Sequence, residues 1–218
     1  MPHLIHELIA FVGFKASGKN TAAAALYPYG YVPLSFADAL KDSLAAIFCW
    51  DRALLEGVTE TSRVWREQID AWWAEKLDIP HFTPRWAMKH IGTDVMRRHF
   101  NYDLWVHNVE RRLLLLDRPV VLVDGRFPNE IILARRYGGR VFRIKRGPDP
   151  DWCDLAIAAN AGVGAAREEL AALDVHVSEY AWIGEPIDAE IVNDGTIAEL
   201  HATVRRHVLD RCEMDALP

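Results

Sequence analysis

Cysteine is scarce in this sequence: Cys49, Cys153 and Cys212 are the three in 218 residues. They are scattered and odd in number, with neither a redox nor a metal-binding spacing. That excludes a disulfide framework and reads as ordinary thiols of a reducing compartment. No apolar run is long enough to cross a bilayer, and Met1 to Val12 has no charged n-region of a signal peptide. The expectation is a cytoplasmic protein with no membrane partner. Basic charge is not in excess either. The formal net charge of −6 excludes a protein whose main task is coating nucleic acid, but not one that binds a nucleotide, which needs only local cations and amides. Internal repeats and low-complexity stretches are absent.

What is present is ordinary for a globular chain: half the residues are apolar and 26% are charged. Short apolar runs mark strands at Leu8 to Val12, Tyr31 to Phe36, Val120 to Val123, Arg140 to Lys145 and Ala189 to Val192. Val120 to Val123 is continuously apolar, as in a strand covered on both faces. Helical patterns lie between them, so the fold class is α/β, with a five-stranded parallel sheet in a three-layer arrangement. Ligands then sit beyond the strand C-termini. Residues 1–36, 118–146 and 185–218 form the core. Two segments exceed the minimal repeat: a tryptophan-rich helical lobe over 37–117, and a lid over 147–184 that includes an alanine-rich helix. Thr196 with Glu199 predicts a capping box for the last helix.

The sharpest motif is Gly13-Phe14-Lys15-Ala16-Ser17-Gly18-Lys19-Asn20-Thr21, which follows a strand and opens a helix. It is G-x-x-x-x-G-K with Asn20 where Ser or Thr is usual. The glycines permit backbone conformations closed to other residues, and successive amides then face an anion. Lys19 would reach the β- and γ-phosphates. Asn20 weakens the case for metal ligation at that position. Thr21 offers a hydroxyl to phosphate or metal instead. Lys15 either touches phosphate or is solvated.

Asp124 closes the strand Val120 to Val123, where a carboxylate holds Mg²⁺ directly or through water. Arg126 follows at the strand-to-helix junction, suited to neutralising charge on a transferring phosphoryl group. Pro128 fits the first helical turn. Glu130 is either a ligand contact or a first-turn acid. In Thr83-Pro84-Arg85, Thr83 is a good N-cap and Pro84 a good first residue, but Arg85 opposes the helix dipole. Arg85 either meets an anion there or extends into water. Thr93 and its neighbours Gly92 and Asp94 either bind an acceptor or belong to a packing contact. Arg143 and Lys145 share a strand face; Arg143 is a lid-side phosphate contact or part of a surface cluster. Asn193 and Gly195, in Asn193-Asp194-Gly195-Thr196, either line a base pocket through backbone groups or simply form a turn and cap.

Taken together, these stretches resemble the deoxynucleoside monophosphate kinases of tailed bacteriophages, which are nucleoside monophosphate kinase-like P-loop proteins. Carrying the resemblance are Gly13 to Thr21, Leu34-Ser35-Phe36-Ala37-Asp38 with Lys41, Thr83-Pro84-Arg85 through Ile91-Gly92-Thr93, and Asp103-Leu104-Trp105. Asp124 to Glu130, His176-Val177-Ser178-Glu179 and Asn193 to Thr196 complete it. The resemblance implies ATP and Mg²⁺, a deoxynucleotide acceptor, and a role in nucleotide supply for DNA synthesis in an infected host. It places Ser35, Phe36, Lys41 and Arg85 on the acceptor side, with Thr93, Asp124 and Glu130, and gives Arg126 to the transfer. Lys89 stands where a glutamine is expected, which leaves base recognition open. Competing readings are another small-molecule P-loop kinase, such as one acting on dephospho-coenzyme A, and a nucleotide-binding switch without acceptor chemistry. The tryptophan-rich stretch around Trp65 to Trp73 is lobe core or a homodimer surface.

Overall fold

A computed structural model describes residues 7–210. Cys212 and the start of the leading segment, before Glu7, lie outside them. Five strands form one parallel sheet: β1 (Leu8–Val12), β2 (Val32–Leu34), β3 (Val120–Gly125), β4 (Arg140–Lys145) and β5 (Ala189–Val192). Their order is β2-β3-β1-β4-β5, and every pairing is parallel. The five expected strands are all present. The second is shorter than its apolar run: Val32, Pro33 and Leu34 pair with β3, at the sheet edge where proline is tolerated.

Contacts divide the chain into two compact units, residues 36–108 and the remainder. The sheet unit is layered. In β1, Ile9 and Phe11 face one side with Ala22, Ala23 and Leu26 and with Leu200, Val204 and Val208. Those residues belong to helix α1 (Lys19–Ala24) with its following turn, and to α11 (Ile197–Val208). Alternation turns Leu8, Ala10 and Val12 to the opposite face. Helix α7 (Pro128–Arg136), which packs on β1 and β4, buries Ile131, Leu133 and Ala134. Burying a side chain of this size contributes about 1.5–3 kcal/mol, so these two faces dominate the stability of the unit. The Thr196–Glu199 capping box of α11 is formed on both sides.

Segment 147–184, expected as the lid of a single domain, lies within this unit. It folds into α8 (Cys153–Asn160), α9 (Gly164–Ala172) and the single turn α10 (Val177–Tyr180). The unit also takes in residues 109–117, at the end of the segment expected as the helical lobe. The C-terminal half of α6 (Leu104–Leu113) goes with the sheet unit, where Glu110 accepts hydrogen bonds from Tyr137 (2.9 Å) and Arg136 (3.3 Å) at the end of α7.

The second unit is helical: α2 (Asp38–Phe48), α3 (Glu60–Glu67), α4 (Ala71–Leu77) and α5 (Pro84–Lys89). A wide π-helical stretch, His90–Phe100, continues α5. Its core is aromatic. Phe48 meets Trp50, Trp73 and Phe82 at centroid distances of 4.6–5.1 Å. The indole N–H groups of Trp50 and Trp73 donate to Asp70 (2.8 Å) and to the Phe48 carbonyl (3.0 Å). Much of the tryptophan-rich stretch is thus lobe core, whereas Ile69 and Trp72 stay largely exposed, each at 58%. No helix among the described residues is long and apolar enough to cross a membrane.

Candidate functional site

Neighbouring strands β1 and β3 send their connections to opposite faces of the sheet, through α1 and α7. Their C-terminal ends are therefore a topological switch point, the usual ligand position in such sheets. The loop after β1 runs through left-handed conformations at Gly13 (φ 139°), Ala16 (φ 63°) and Gly18 (φ 97°). A Cβ on Gly13 would lie 2.3 Å from the Ile144 carbonyl oxygen, so this glycine is required by close approach as well as by φ. Ala16 adopts its strained conformation without that excuse, a feature that clusters at binding loops. Lys15, Ala16 and Asn20 are exposed, whereas Gly13 and Ser17 are buried.

The loop is held from below by Asn193, whose buried side-chain amide donates to the Ser17 carbonyl at 2.8 Å. The Asn193 side chain is thus a strut for the phosphate loop, apart from the base-pocket role expected of its backbone groups. Gly195 sits in the turn against the Glu199 carboxylate, within the cap of α11. His201 donates from Nε2 to the Thr21 carbonyl at 2.9 Å, so α11 also fixes α1.

Lys19 curls back onto its own loop. Its Nζ donates to the carbonyls of Gly13 (2.7 Å) and Phe14 (2.8 Å), with the Ser17 hydroxyl at 3.5 Å. Burial and then the neighbouring Arg126 charge lower its pKa to about 7, opposed by the carboxylates of Asp124 and Glu179. The four side chains thus form one electrostatic cluster.

Asp124 reaches it through an irregularity. Ala10 is opposite Leu122, but Val12 is opposite Gly125, so β3 holds one extra residue between those pairs. Such a bulge re-aims a side chain at a strand end. Asp124 Oδ2 accepts from the Ser35 hydroxyl at 2.5 Å. Arg126 is fixed at both ends. Its backbone N–H donates to Glu130 (2.6 Å), and Nη1 lies 3.4 Å from the Ser178 carbonyl and 3.4 Å from Glu179 Oε1. Glu130, 2% exposed, also accepts from the Phe127 N–H at 3.1 Å. Its carboxylate is enclosed and engaged with the amides of its own turn, as a first-turn acid would be.

Arg143, expected at ATP phosphates, is built into a different structure. Its guanidinium lies 5.5 Å from the Phe14 ring and 5.3 Å from the Trp182 ring. It pairs with Asp149 and, at 3.2 Å, with Glu190. Lys145 approaches the same two acids. Phe14 in turn meets Trp152 and Trp182 edge-on at 5.5 and 5.2 Å. This cluster ties the phosphate loop to segment 147–184, and the sequence reading missed it, along with Glu179. The cue for Phe14 was its place inside the loop; the tryptophans lie more than 130 positions away, and spacing cannot pair them.

The acceptor-side expectations other than Ser35, Asp124, Arg126 and Glu130 fall in the helical unit. Phe36 is buried. Lys41 pairs with Glu56 at 2.7 Å, and Glu56 also binds Arg52; these cations hold the Glu56 pKa below its usual value against burial. Thr83 caps α5 by accepting from the Trp86 N–H at 3.0 Å, with Pro84 at the first position as expected. Arg85 does not extend into water: its side chain is 16% exposed and faces Glu67 at 3.7 Å. Thr93 is half-buried in the π-helical stretch, beside Gly92, which packs against Leu40.

Mg²⁺ suits this donor set only in part through protein atoms. Among the described residues no three His, Cys, Asp or Glu side chains gather to hold a metal alone. Mg²⁺ in phosphoryl-transfer sites is typically bound by one or two carboxylates plus phosphate oxygens and water. Asp124, on its bulge beside Lys19, fits that pattern, with Thr21 the hydroxyl available in place of Asn20.

The fold is α/β, a five-stranded parallel sheet with helices packed on it and a glycine loop between β1 and α1. No family model matches the sequence, and comparison with curated proteins finds no relative. Among solved structures, the chain is similar to a dephospho-CoA kinase from Campylobacter jejuni (15% identity, 94% of this chain and 96% of that one, TM-score 0.44). It is also similar to a gluconokinase from Sinorhizobium meliloti 1021 (14%, 98% and 99%, TM-score 0.41). A third is TT1252 from Thermus thermophilus (20%, 97% and 98%, TM-score 0.43). Likeness at this level leaves the fold resting on the sheet order and loop geometry themselves.

Proposed function

We propose that the protein is a kinase that transfers the terminal phosphate of ATP to a deoxynucleoside monophosphate. The observation that carries the phosphate half is the Lys19 ammonium, drawn onto the carbonyls of Gly13 and Phe14 beside Asp124 and Arg126. A cation so enclosed, in a loop with three left-handed residues, is arranged for a polyanion. The acceptor half rests on the ordered motifs of the sequence, chiefly Thr83-Pro84-Arg85 with Lys41 in the helical unit.

In this reading an oxygen of the acceptor phosphate attacks the γ-phosphorus as the bond to the β–γ bridging oxygen breaks, and ADP leaves with that electron pair. No protein base is required, because the nucleophile is already anionic. Lys19 leaves the loop carbonyls for the phosphates. Arg126, with its backbone clamped by Glu130, stabilises charge on the transferring group. Arg85 and Lys41 exchange Glu67 and Glu56 for the acceptor phosphate. Asp124 and Thr21 would hold Mg²⁺, which supplies neutralisation of phosphate charge. The Phe14–Trp182 contact helps the loop keep its shape.

The test is ADP release measured over deoxynucleoside monophosphates, ribonucleoside monophosphates and dephospho-coenzyme A. The expected result is transfer to at least one deoxynucleotide, lowered by about 10³-fold or more in Lys19→Ala. Preference for dephospho-coenzyme A would replace the acceptor assignment, and ATP binding without transfer to any acceptor would favour a switch module. Full activity in Lys19→Ala would remove the loop from the chemistry.

A further inference from the structure

His176-Val177-Ser178-Glu179 contributes to the family resemblance without any assigned role. In the structure it is the turn α10, and it is firmly placed. The His176 ring accepts from the Ser178 N–H at 3.3 Å and lies 2.8 Å from the Ser178 hydroxyl. The Asn160 side chain donates to the carbonyls of Tyr180 (3.0 Å) and Ile183 (2.8 Å). Trp182 Nε1 donates to the Glu179 carbonyl at 3.1 Å. The Glu179 side chain, 18% exposed, is thereby aimed at the Arg126 guanidinium, 3.4 Å away. Arg126 and Lys19 are like charges held together, and the Arg126 charge disfavours the charged form of Lys19. Lys19 is faced by Arg126 and Asp124 from the end of β3, by Glu179 from α10, and by the Ser17 hydroxyl of its own loop. Asp124 is shared with Ser35. Glu179 is therefore the acid that segment 147–184 contributes to both cations.

We propose that Glu179 is a positioning residue: it holds the Arg126 guanidinium beside the Lys19 ammonium and lends the pair a negative charge until a polyphosphate supplies its own. This rests on the kinase reading above. A charge-assisted contact of this kind keeps a guanidinium pre-aligned, and misplacing a transfer group by an ångström costs up to about a hundredfold in rate.

Glu179→Gln and Glu179→Asp are compared with wild type, with thermal melts confirming that all three fold. In Glu179→Gln, kcat should fall by roughly 10–100-fold with a much smaller rise in KM for ATP. Calorimetric titration with ATP, which needs no acceptor, should show an affinity within about threefold of wild type. Glu179→Asp restores the charge at a shorter reach and should recover part of kcat. Unchanged kcat in Glu179→Gln, an ATP affinity that falls as far as kcat does, or equal losses of kcat in both variants, would overturn the inference while leaving the kinase reading intact. If wild type binds ATP but phosphorylates no acceptor, the kinase reading fails, and basal ATP hydrolysis compared across the three proteins decides what Glu179 does. No binding of ATP by wild type would remove both.

Discussion

At the scale of single residues, the Lys19 ammonium is costly to keep charged, because burial and Arg126 outweigh the carbonyls and acids around it. Its folded-state pKa of about 7 lies below the usual lysine value of 10.5. Below the lower value both states carry the proton, and folding bears the full penalty. Between the two, the unfolded chain binds the extra proton, so ligand-free stability should rise with pH across that window. Lys19→Met keeps the apolar stem and removes the charge. It should stabilise the ligand-free protein by on the order of 1–2 kcal/mol near pH 6, after allowing for partial exposure of the side chain. The gain should shrink toward zero near pH 10. Chemical denaturation of both proteins at the two pH values tests this. An equal difference at both would mean that Lys19 is not the group concerned. The same substitution should abolish ATP binding, so the stabilised variant is also the inactive one.

At the scale of elements, β1, β4 and β5 and the glycine loop could be read directly, because each is a local pattern: an apolar run, then residues free to take left-handed φ. Glu130 could not be settled, since a first-turn acid looks the same whether it faces a ligand or its own amides. Arg143 was placed on the right strand face by alternation, but Asp149, Glu190, Phe14 and Trp182 were invisible as its partners because none is fixed by spacing. The extra residue in β3 depends on pairing with β1, and the π-helical widening after Lys89 breaks the 3.6-residue period from which helices are read. The strut from Asn193 to Ser17 spans 176 positions. It yields a prediction: Asn193→Ala leaves the Ser17 carbonyl without its side-chain donor and loosens the loop. With about 1–1.5 kcal/mol at stake in one hydrogen bond, KM for ATP should rise by roughly 5–10-fold, with kcat changed far less. Steady-state kinetics at saturating acceptor measures both. An unchanged KM would show that the loop keeps its shape without the strut.

At the scale of the molecule, the two units carry separate reporters. Trp50, Trp65, Trp72, Trp73, Trp86 and Trp105 all lie within 36–108, whereas Trp152 and Trp182 belong to the sheet unit and touch Phe14 of the phosphate loop. If the loop takes ATP and the helical unit takes the acceptor, the two ligands should be seen by different tryptophans. Binding at the loop shifts Lys19 and the backbone around Phe14, and edge-on aromatic contacts worth about 0.5–1.5 kcal/mol are sensitive to such shifts. ATP should therefore alter wild-type emission chiefly through Trp152 and Trp182. A variant carrying Trp152→Phe and Trp182→Phe keeps aromatic packing against Phe14 and should lose most of the ATP response. It should retain the response to acceptor monophosphate, because Trp86 follows Arg85 directly on α5 and moves with it when Arg85 exchanges Glu67 for phosphate. An undiminished ATP signal in the double variant would mean that the triphosphate is sensed within the helical unit. The division of labour between loop and lobe would then have to be abandoned, while the phosphate loop itself would still be tested separately by Lys19→Ala.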